Sequence, residues 1–114
     1  MAIQTATQRN TLATAYGTAA THAALYTTAP GGTAGTEPSG GSPAYARKPI
    51  TWGTASGSQI SATVVFDVPS GATIVGAGVH TALTAGTYLD GGTVTSQAFA
   101  SQGTYTLTLT YTQS

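Results

Sequence analysis

Two segments of the chain alternate apolar and polar residues with a period of two, which is the pattern of half-buried β-strands. Residues 60–68 read ISATVVFDV, with the apolar side chains on one parity and Val65 as the exception. Residues 104–112 read TYTLTLTYT, so Tyr and Leu alternate with Thr throughout. A Pro-Ser-Gly turn follows the first segment. We therefore predict two strands, each with one buried face and one face toward solvent.

Shorter apolar runs predict further strands. Residues 22–27, 50–52 and 73–83 are candidates, each flanked by turns that contain Pro or Gly. Residues 88–99 predict a hairpin, because Asp90-Gly91 supplies the positive φ that tight hairpin turns require. Strands at intervals of about 8 to 12 residues are typical of antiparallel sandwiches and barrels. We predict a mainly β fold, an antiparallel β-sandwich or barrel-like domain.

One short α-helix is predicted near the N-terminus. Residues 7–16 place Leu12 and Tyr16 four positions apart in an Ala-rich run, with a hydroxyl residue able to cap the start. Gly17 is placed to end the helix. Because a helix of about ten residues is marginal alone, we expect the face with Leu12 and Tyr16 to dock on the sheet or on a neighbouring subunit.

The least regular part of the chain is the Gly/Pro segment (residues 28–49), which holds three of the six charged residues. A loop of this length is either a tolerated flexible insertion or an arm that orders against a partner. Aromatic and cationic residues cluster at its C-terminal end, which favours the arm. We divide the single domain of residues 1–114 into an N-terminal arm with the helix (1–18), a first strand (19–27), the Gly/Pro segment and the sandwich strands (50–114). The predicted interface residues are Glu37, Tyr45, Arg47, Lys48, Trp52 and Tyr88.

Charge and composition exclude several classes of protein. Six charged residues in 114 are few, since a globular domain carries roughly a quarter. Two Arg and one Lys cannot form the basic surface of a nucleic-acid binder, so we expect no nucleic-acid partner. The densest apolar stretch, residues 64–66, is far shorter than the about 20 residues of a membrane span. No secretory signal is visible, and the absence of Cys fits a reducing compartment.

Candidate catalytic groups are scarce. On residue type alone, a His could join an Asp in a catalytic triad, and two carboxylates could form a glycosidase pair. The candidates are His22, His80, Glu37, Asp67 and Asp90. No nucleophile elbow, phosphate loop or paired-histidine zinc spacing surrounds them. We predict that the chain is not an enzyme and holds no metal or cofactor, and that His80 is a strand-surface or interface histidine.

A glycan site is the main alternative for binding. An exposed Trp52, Tyr45 or Tyr88 could stack on a sugar ring while a nearby Asp90 takes its hydroxyls. The opposing consideration is that a domain with only two Phe must also build its core from Tyr and Trp. Both uses of the aromatic residues stay open at this point.

The order of these segments resembles a family of small virion proteins of tailed bacteriophages, which are often labelled tail fibre, minor tail or head decoration proteins. The most specific likeness is EPSGG at 37–41 followed by YARKPITW at 45–52, and GTYL at 86–89 is a second landmark. The likeness covers most of the chain from about Arg9 onward. It departs around His80, where the family has an aromatic-acid pair after His-Val-Gly-Leu. The resemblance implies a non-enzymatic structural protein of the virion, made in the host cytoplasm.

Two positions in such a virion are open. A chain of 114 residues leaves no room for the long shaft of a standalone fibre, and a protein that decorates a lattice gains from being a homo-oligomer. We therefore prefer a capsid decoration (minor capsid) protein, a homotrimer that binds the major capsid protein on the outer surface of the head and stabilises it. The alternative is a minor tail or tail-fibre-like module that binds a host receptor or surface glycan.

The segment 104–112 bears on self-association. It is neutral, β-prone and free of proline. An exposed sheet edge with that composition would be an aggregation hazard. We infer that this strand is either central in its sheet or paired at a subunit interface.

Overall fold

The computed structural model describes residues 4–113 and is mainly β. One helix, α1, spans Ala6–Ala19. The strands are β1 His22–Tyr26, β2 Lys48–Pro49, β3 Gln59–Val68, β4 Thr73–His80, β5 Tyr88–Ala98 and β6 Gly103–Thr112. Neighbouring strands pair antiparallel in every case. The predicted fold class, a mainly β antiparallel domain with one N-terminal helix, is confirmed.

The strands form two sheets that do not close into a barrel. The larger sheet has the order β2-β1-β4-β5, and the smaller sheet contains only β3 and β6. Leu25 of β1, Phe66 of β3 and Ile74 of β4 meet in one core between the sheets, and all three are fully buried. The result is an open sandwich in which two strands face four.

β3 and β6 follow the alternation that their sequences predict. They pair through ten consecutive residue pairs. In β3 the apolar parity is buried, and Val65 on the other parity is 53% exposed. In β6 Leu107 is buried while the Thr residues face solvent. The period of two predicted both strands because the smaller sheet has one face on the core and one in water.

β1 is buried on both of its faces. Leu25 faces the core, and Tyr26 on the opposite face is also fully buried. The first part of the Gly/Pro segment covers that outer face: a Cβ built on Gly35 would lie 2.8 Å from Cβ of Tyr26, and Pro30 lies against Gly76 of β4. The segment therefore forms a partial third layer over the four-stranded sheet.

α1 extends beyond its predicted end, and Gly17 does not terminate it. A hydroxyl residue caps the helix, but it is Thr5, two positions before the predicted start, and its hydroxyl accepts a hydrogen bond from Gln8 N at 3.3 Å. Gly17 lies inside the helix, where an added Cβ would lie 2.9 Å from Cδ1 of Ile60 and 3.1 Å from Cδ1 of Trp52. The glycine permits close packing of the helix on its neighbours rather than a C-terminal turn.

The predicted hairpin at Asp90-Gly91 is wrong, because β5 runs through it without a turn. Gly91 pairs with Gly78 of β4, and neither Gly91 nor Gly92 has a positive φ. A Cβ on Gly91 would lie 2.5 Å from Oη of Tyr88 and 2.8 Å from the carbonyl oxygen of Ala77. The strand needs this glycine because the Tyr88 side chain and the β4 backbone lie against it.

Two other strand predictions need correction. Residues 50–52 are not a strand; β2 lies just before them, and Trp52 donates a hydrogen bond from Nε1 to the Ala20 carbonyl at 2.9 Å. β4 ends at His80 rather than at residue 83. A loop begins there, closed by a hydrogen bond from Thr81 N to the Thr87 carbonyl at 3.1 Å.

Candidate functional site

Three of the predicted interface residues form one hydrogen-bonded network at the end of the Gly/Pro segment. Arg47 donates from Nη2 to Oε2 of Glu37 at 2.9 Å and from Nε to both carboxylate oxygens at 3.1 and 3.2 Å. Tyr45 donates from Oη to Oε1 of Glu37 at 2.8 Å. The side chains of Arg47 and Glu37 are only 13% and 26% exposed. The polar groups of these three side chains therefore bind one another within the chain.

The same network joins distant parts of the chain. Arg47 also donates from Nη1 to the carbonyls of Ala82 and Ala85, at 3.1 and 2.9 Å. The hydroxyl of Tyr45 accepts a hydrogen bond from the backbone N–H of Leu25 in β1 at 3.0 Å. The Gly/Pro segment is thus tied to β1 and to the loop between β4 and β5.

The protonation states follow from burial and from these hydrogen bonds. Burial alone would raise the pKa of Glu37, but hydrogen bonds from Arg47 and Tyr45 outweigh burial and hold that pKa below its ordinary value. Burial raises the pKa of Tyr45. The network at neutral pH is therefore a carboxylate and a guanidinium joined to a neutral phenol.

His80 is buried, so the prediction of a strand-surface or interface histidine is wrong. It is 3% exposed, and its Nε2 lies 2.5 Å from Oη of Tyr26. The ring of Tyr88 packs against it, with centroids 5.6 Å apart. Burial, followed by the nearby charge of Arg47, lowers the pKa of His80. The covered outer face of the four-stranded sheet explains the burial, because His80 lies on the same face as Tyr26.

The other predicted interface residues make separate internal contacts. Tyr88 donates from Oη to the Gly31 carbonyl at 2.9 Å, which helps to hold the Gly/Pro segment over the sheet. Lys48 forms an ion pair with Asp67 at 3.3 Å. The structure thus brings Glu37, Tyr45 and Arg47 together and places Lys48 and Tyr88 in other contacts. Their role at an interface stays a prediction.

A second group of side chains, the aromatic cluster (Tyr16, Trp52 and Tyr111), lies where α1 meets the sheets. Tyr16 stacks on Tyr111 with centroids 3.9 Å apart and planes at 8°, and Trp52 meets Tyr16 edge-on at 6.0 Å. Tyr16 also donates from Oη to Oδ2 of Asp90 at 3.1 Å. The spacing of Leu12 and Tyr16 predicts that this helix face docks. The same spacing does not predict the contacts of Tyr16 with Trp52 and Tyr111, which lie 36 and 95 positions later in the chain.

A cleft of about 220 Å³ opens beside the aromatic cluster. Residues of β4, β5 and β6 line it, including Val94 and Leu109. Trp52 and Asp90, two of the residues predicted for a sugar site, also line this cleft, whereas Tyr45 and Tyr88 do not. A glycan site therefore stays a prediction, and Trp52 is the predicted aromatic residue that lines this cleft together with Asp90.

The candidate catalytic groups are dispersed. Within residues 4–113, neither His22 nor His80 is hydrogen-bonded to a carboxylate. Glu37 binds Arg47 and Tyr45, Asp67 binds Lys48, and Asp90 accepts from Tyr16. The described part of the chain holds no group of three or more His, Asp or Glu side chains arranged around a metal position. Nor does its helix have the length and apolar character to cross a membrane.

Comparison with known proteins gives one family. A family model described as Podophage GP4 fiber I protein gp80 matches residues 2–111. The match runs from before α1 into β6 and so covers both sheets and the Gly/Pro segment. No curated protein and no solved structure matches the chain significantly.

Proposed function

We propose, because the chain belongs to the family of Podophage GP4 fiber I protein gp80, that it is a structural component of the tail fibre of a tailed bacteriophage. The family confirms the resemblance to tailed-phage virion proteins and makes the chain a fibre-type structural protein of the virion. The match over residues 2–111 is the observation that carries the proposal. The position of the chain on the tail is a proposal that goes beyond this family match.

The family favours a tail fibre over the capsid decoration protein that we preferred from the sequence. That preference rested on two expectations, that 114 residues leave no room for a shaft and that a protein bound to a lattice gains from being a homo-oligomer. Length is a weak criterion, because a fibre can be assembled from many copies of a short chain or from several different chains. Binding to the major capsid protein and the homotrimer stay predictions.

The use of the ionisable side chains supports a role without catalysis. All three carboxylates accept hydrogen bonds or form ion pairs within the chain. His80 is buried against Tyr26. Four of the six charged residues are neutralised in two internal ion pairs, Arg47–Glu37 and Lys48–Asp67. The surface therefore offers hydroxyls and backbone rather than charge, which suits a subunit packed in a larger assembly.

Fractionation of purified particles tests the proposal. Particles of the phage that encodes the chain are broken into heads and tails, and peptides of the chain are quantified in each fraction by mass spectrometry. We expect the chain to follow the tail proteins, with major capsid peptides as the internal control for heads. Recovery of the chain with the heads, in proportion to the capsid protein, would contradict the proposal.

A host receptor or glycan as partner is a narrower prediction. The cleft beside Trp52 and Asp90 is the place to test it. Attachment of the purified chain to host cells, and its loss in Asp90→Asn, would support this partner. Attachment that Asp90→Asn leaves unchanged would contradict a site in that cleft.

A further inference from the structure

β6 has one edge with no backbone partner in the described chain. It pairs with β3 on one side, and no backbone hydrogen bond from residues 4–113 reaches its other side. In an antiparallel pair, alternate residues direct their N–H and C=O groups away from the partner. The order β3-β6 excludes a central position for this strand. Of the two alternatives inferred from the sequence, pairing at a subunit interface therefore remains.

The composition of β6 lacks the features that protect sheet edges. Natural edges carry Lys, Pro or a bulge that prevents another strand from adding. β6 reads GTYTLTLTYT, without charge or proline, and its pairing with β3 shows no register shift. It is a regular ten-residue edge on which a further strand can pair.

The other sheet edges are short, occupied or irregular. Gly53 donates to the Ser61 carbonyl at 3.0 Å on the outer side of β3. β2 is only two residues long. β5 carries Asp90 and has register shifts against β4. Among the described strands, β6 therefore has the edge best suited to pairing with another chain.

The position of β6 also leaves apolar surface for an added strand to cover. Two strands face four, so the smaller sheet covers β5 poorly, and nearly all of β5 is exposed. Val94 of β5 and Leu109 of β6 line the cleft and are only partly buried. A strand added to β6 would lie about 4.8 Å further out, over the inner side of β5. It would bury both side chains.

We propose that β6 pairs antiparallel with β6 of a second copy of this chain, to make a continuous four-stranded sheet across a twofold axis. A twofold contact requires a surface that is complementary to itself. This edge meets that requirement, because it is uncharged, presents Thr against Thr, and belongs to a chain with a net charge of zero. The pairing goes beyond the proposed place in the tail, and it gives a dimer rather than the trimer predicted from the sequence.

Charge placed on the edge tests the pairing. Thr108 lies near the middle of β6, so a Lys there comes close to its own copy across the twofold axis. We expect light scattering on a sizing column to give a dimer for the natural chain, and Thr108→Lys to raise the dimer Kd by about tenfold or more. The matched control is Thr63→Lys, because Thr63 pairs with Thr108, is equally solvent-facing and lies one strand away from the edge.

Mixing separates edge repulsion from damage to the fold. Thr108→Glu alone should be as monomeric as Thr108→Lys, and an equal mixture of the two variants should dimerise again, because unlike charges then meet. The fluorescence of Trp52, the only tryptophan, reports that each variant is folded. The proposal would be overturned if the natural chain were monomeric at a concentration of about 100 μM, or if it were trimeric.

Cross-linking gives an independent test, since the chain has no cysteine of its own. Single Cys substitutions at Thr106, Thr108 and Thr110 are oxidised in turn. Residues opposite each other in antiparallel strands lie within the Cα separation that a disulfide requires. We expect disulfide-linked dimers at the position nearest the twofold axis and none for Thr63→Cys. Equal cross-linking at Thr63→Cys would overturn the pairing through β6.

Discussion

The guanidinium of Arg47 binds both carboxylate oxygens of Glu37, ten positions earlier in the chain. This contact, with the hydrogen bonds of Arg47 to the loop between β4 and β5, fixes the end of the Gly/Pro segment on the sheet. The sequence left two interpretations of that segment, a flexible insertion or an arm for a partner. Its observed contacts are with its own chain, and it covers the side chain of Tyr26 on the outer face of the sheet.

Removal of Arg47 should destabilise the isolated chain. Arg47→Ala deletes five hydrogen bonds and leaves the partly buried carboxylate of Glu37 without a counter-charge. We expect a loss of about 2–4 kcal/mol in the free energy of unfolding, measured by denaturant titration. Lys48→Ala is the adjacent control, because Lys48 makes a single contact at 3.3 Å with Asp67, its side chain is 34% exposed, and the pair should contribute less than about 1 kcal/mol. Equal effects of the two substitutions would contradict the structural role of Arg47.

Acid should weaken the same contact. The folded-state pKa of Glu37 lies below its ordinary value of 4.5, so the unfolded chain binds more protons at acid pH. The stability that Glu37 contributes is complete above pH 4.5 and is lost as the pH falls through the lower folded-state value. We expect melting temperatures measured between about pH 6 and pH 3 to fall less steeply for Glu37→Gln than for the natural chain. Parallel curves would contradict this.

The two neighbouring glycines of β5 should respond differently to a methyl group. Gly91→Ala places a Cβ against Oη of Tyr88 and the Ala77 carbonyl, whereas a Cβ on Gly92 meets nothing within 4 Å. We expect Gly91→Ala to cost about 1–3 kcal/mol of stability and Gly92→Ala to be neutral or slightly stabilising. Thermal unfolding of the two variants measures the difference. If both were neutral, the close approach at Gly91 would not exist.

The single tryptophan should report the docking of α1. Tyr16→Ala removes the ring that meets Trp52 edge-on and stacks on Tyr111. Water then gains access to the indole, so we expect Trp52 fluorescence to shift to longer wavelength. Tyr16→Phe keeps the ring and loses only the hydrogen bond to Asp90, and its emission should stay close to that of the natural chain. An unchanged spectrum in Tyr16→Ala would place the helix elsewhere.

The strands of the smaller sheet could be predicted from the sequence, because the alternation of apolar and polar residues is a local signal and this sheet has one face exposed to solvent. The glycines of β5 and α1 could not be interpreted in the same way. The local sequence around Gly91 is compatible both with a turn and with close packing inside a strand. The position of the Tyr88 side chain against Gly91 distinguishes the two, and it depends on the fold. The burial of His80 was missed for a similar reason, since Tyr26, which lies 54 positions earlier in the chain, packs against it.

The candidate site shows the same limit. The clustering of Tyr45 and Arg47 near Glu37 could be predicted because these residues are neighbours in the chain, although their contacts are with each other. The aromatic cluster brings together Tyr16 of α1, Trp52 from the stretch that follows β2, and Tyr111 of β6. No local sequence pattern connects these three residues. The neutral alternation of β6 predicted a partner on both sides of the strand, and within the described chain β3 is its partner on one side.

Cryo-electron microscopy of intact particles would show whether the chain has a structural place in the tail fibre. In a reconstruction of the whole virion, the open sandwich of four strands over two should fit density on the tail. We expect such density on the fibres and none at the lattice points of the head. Density for this chain on the outer surface of the head shell would contradict a place in the tail fibre.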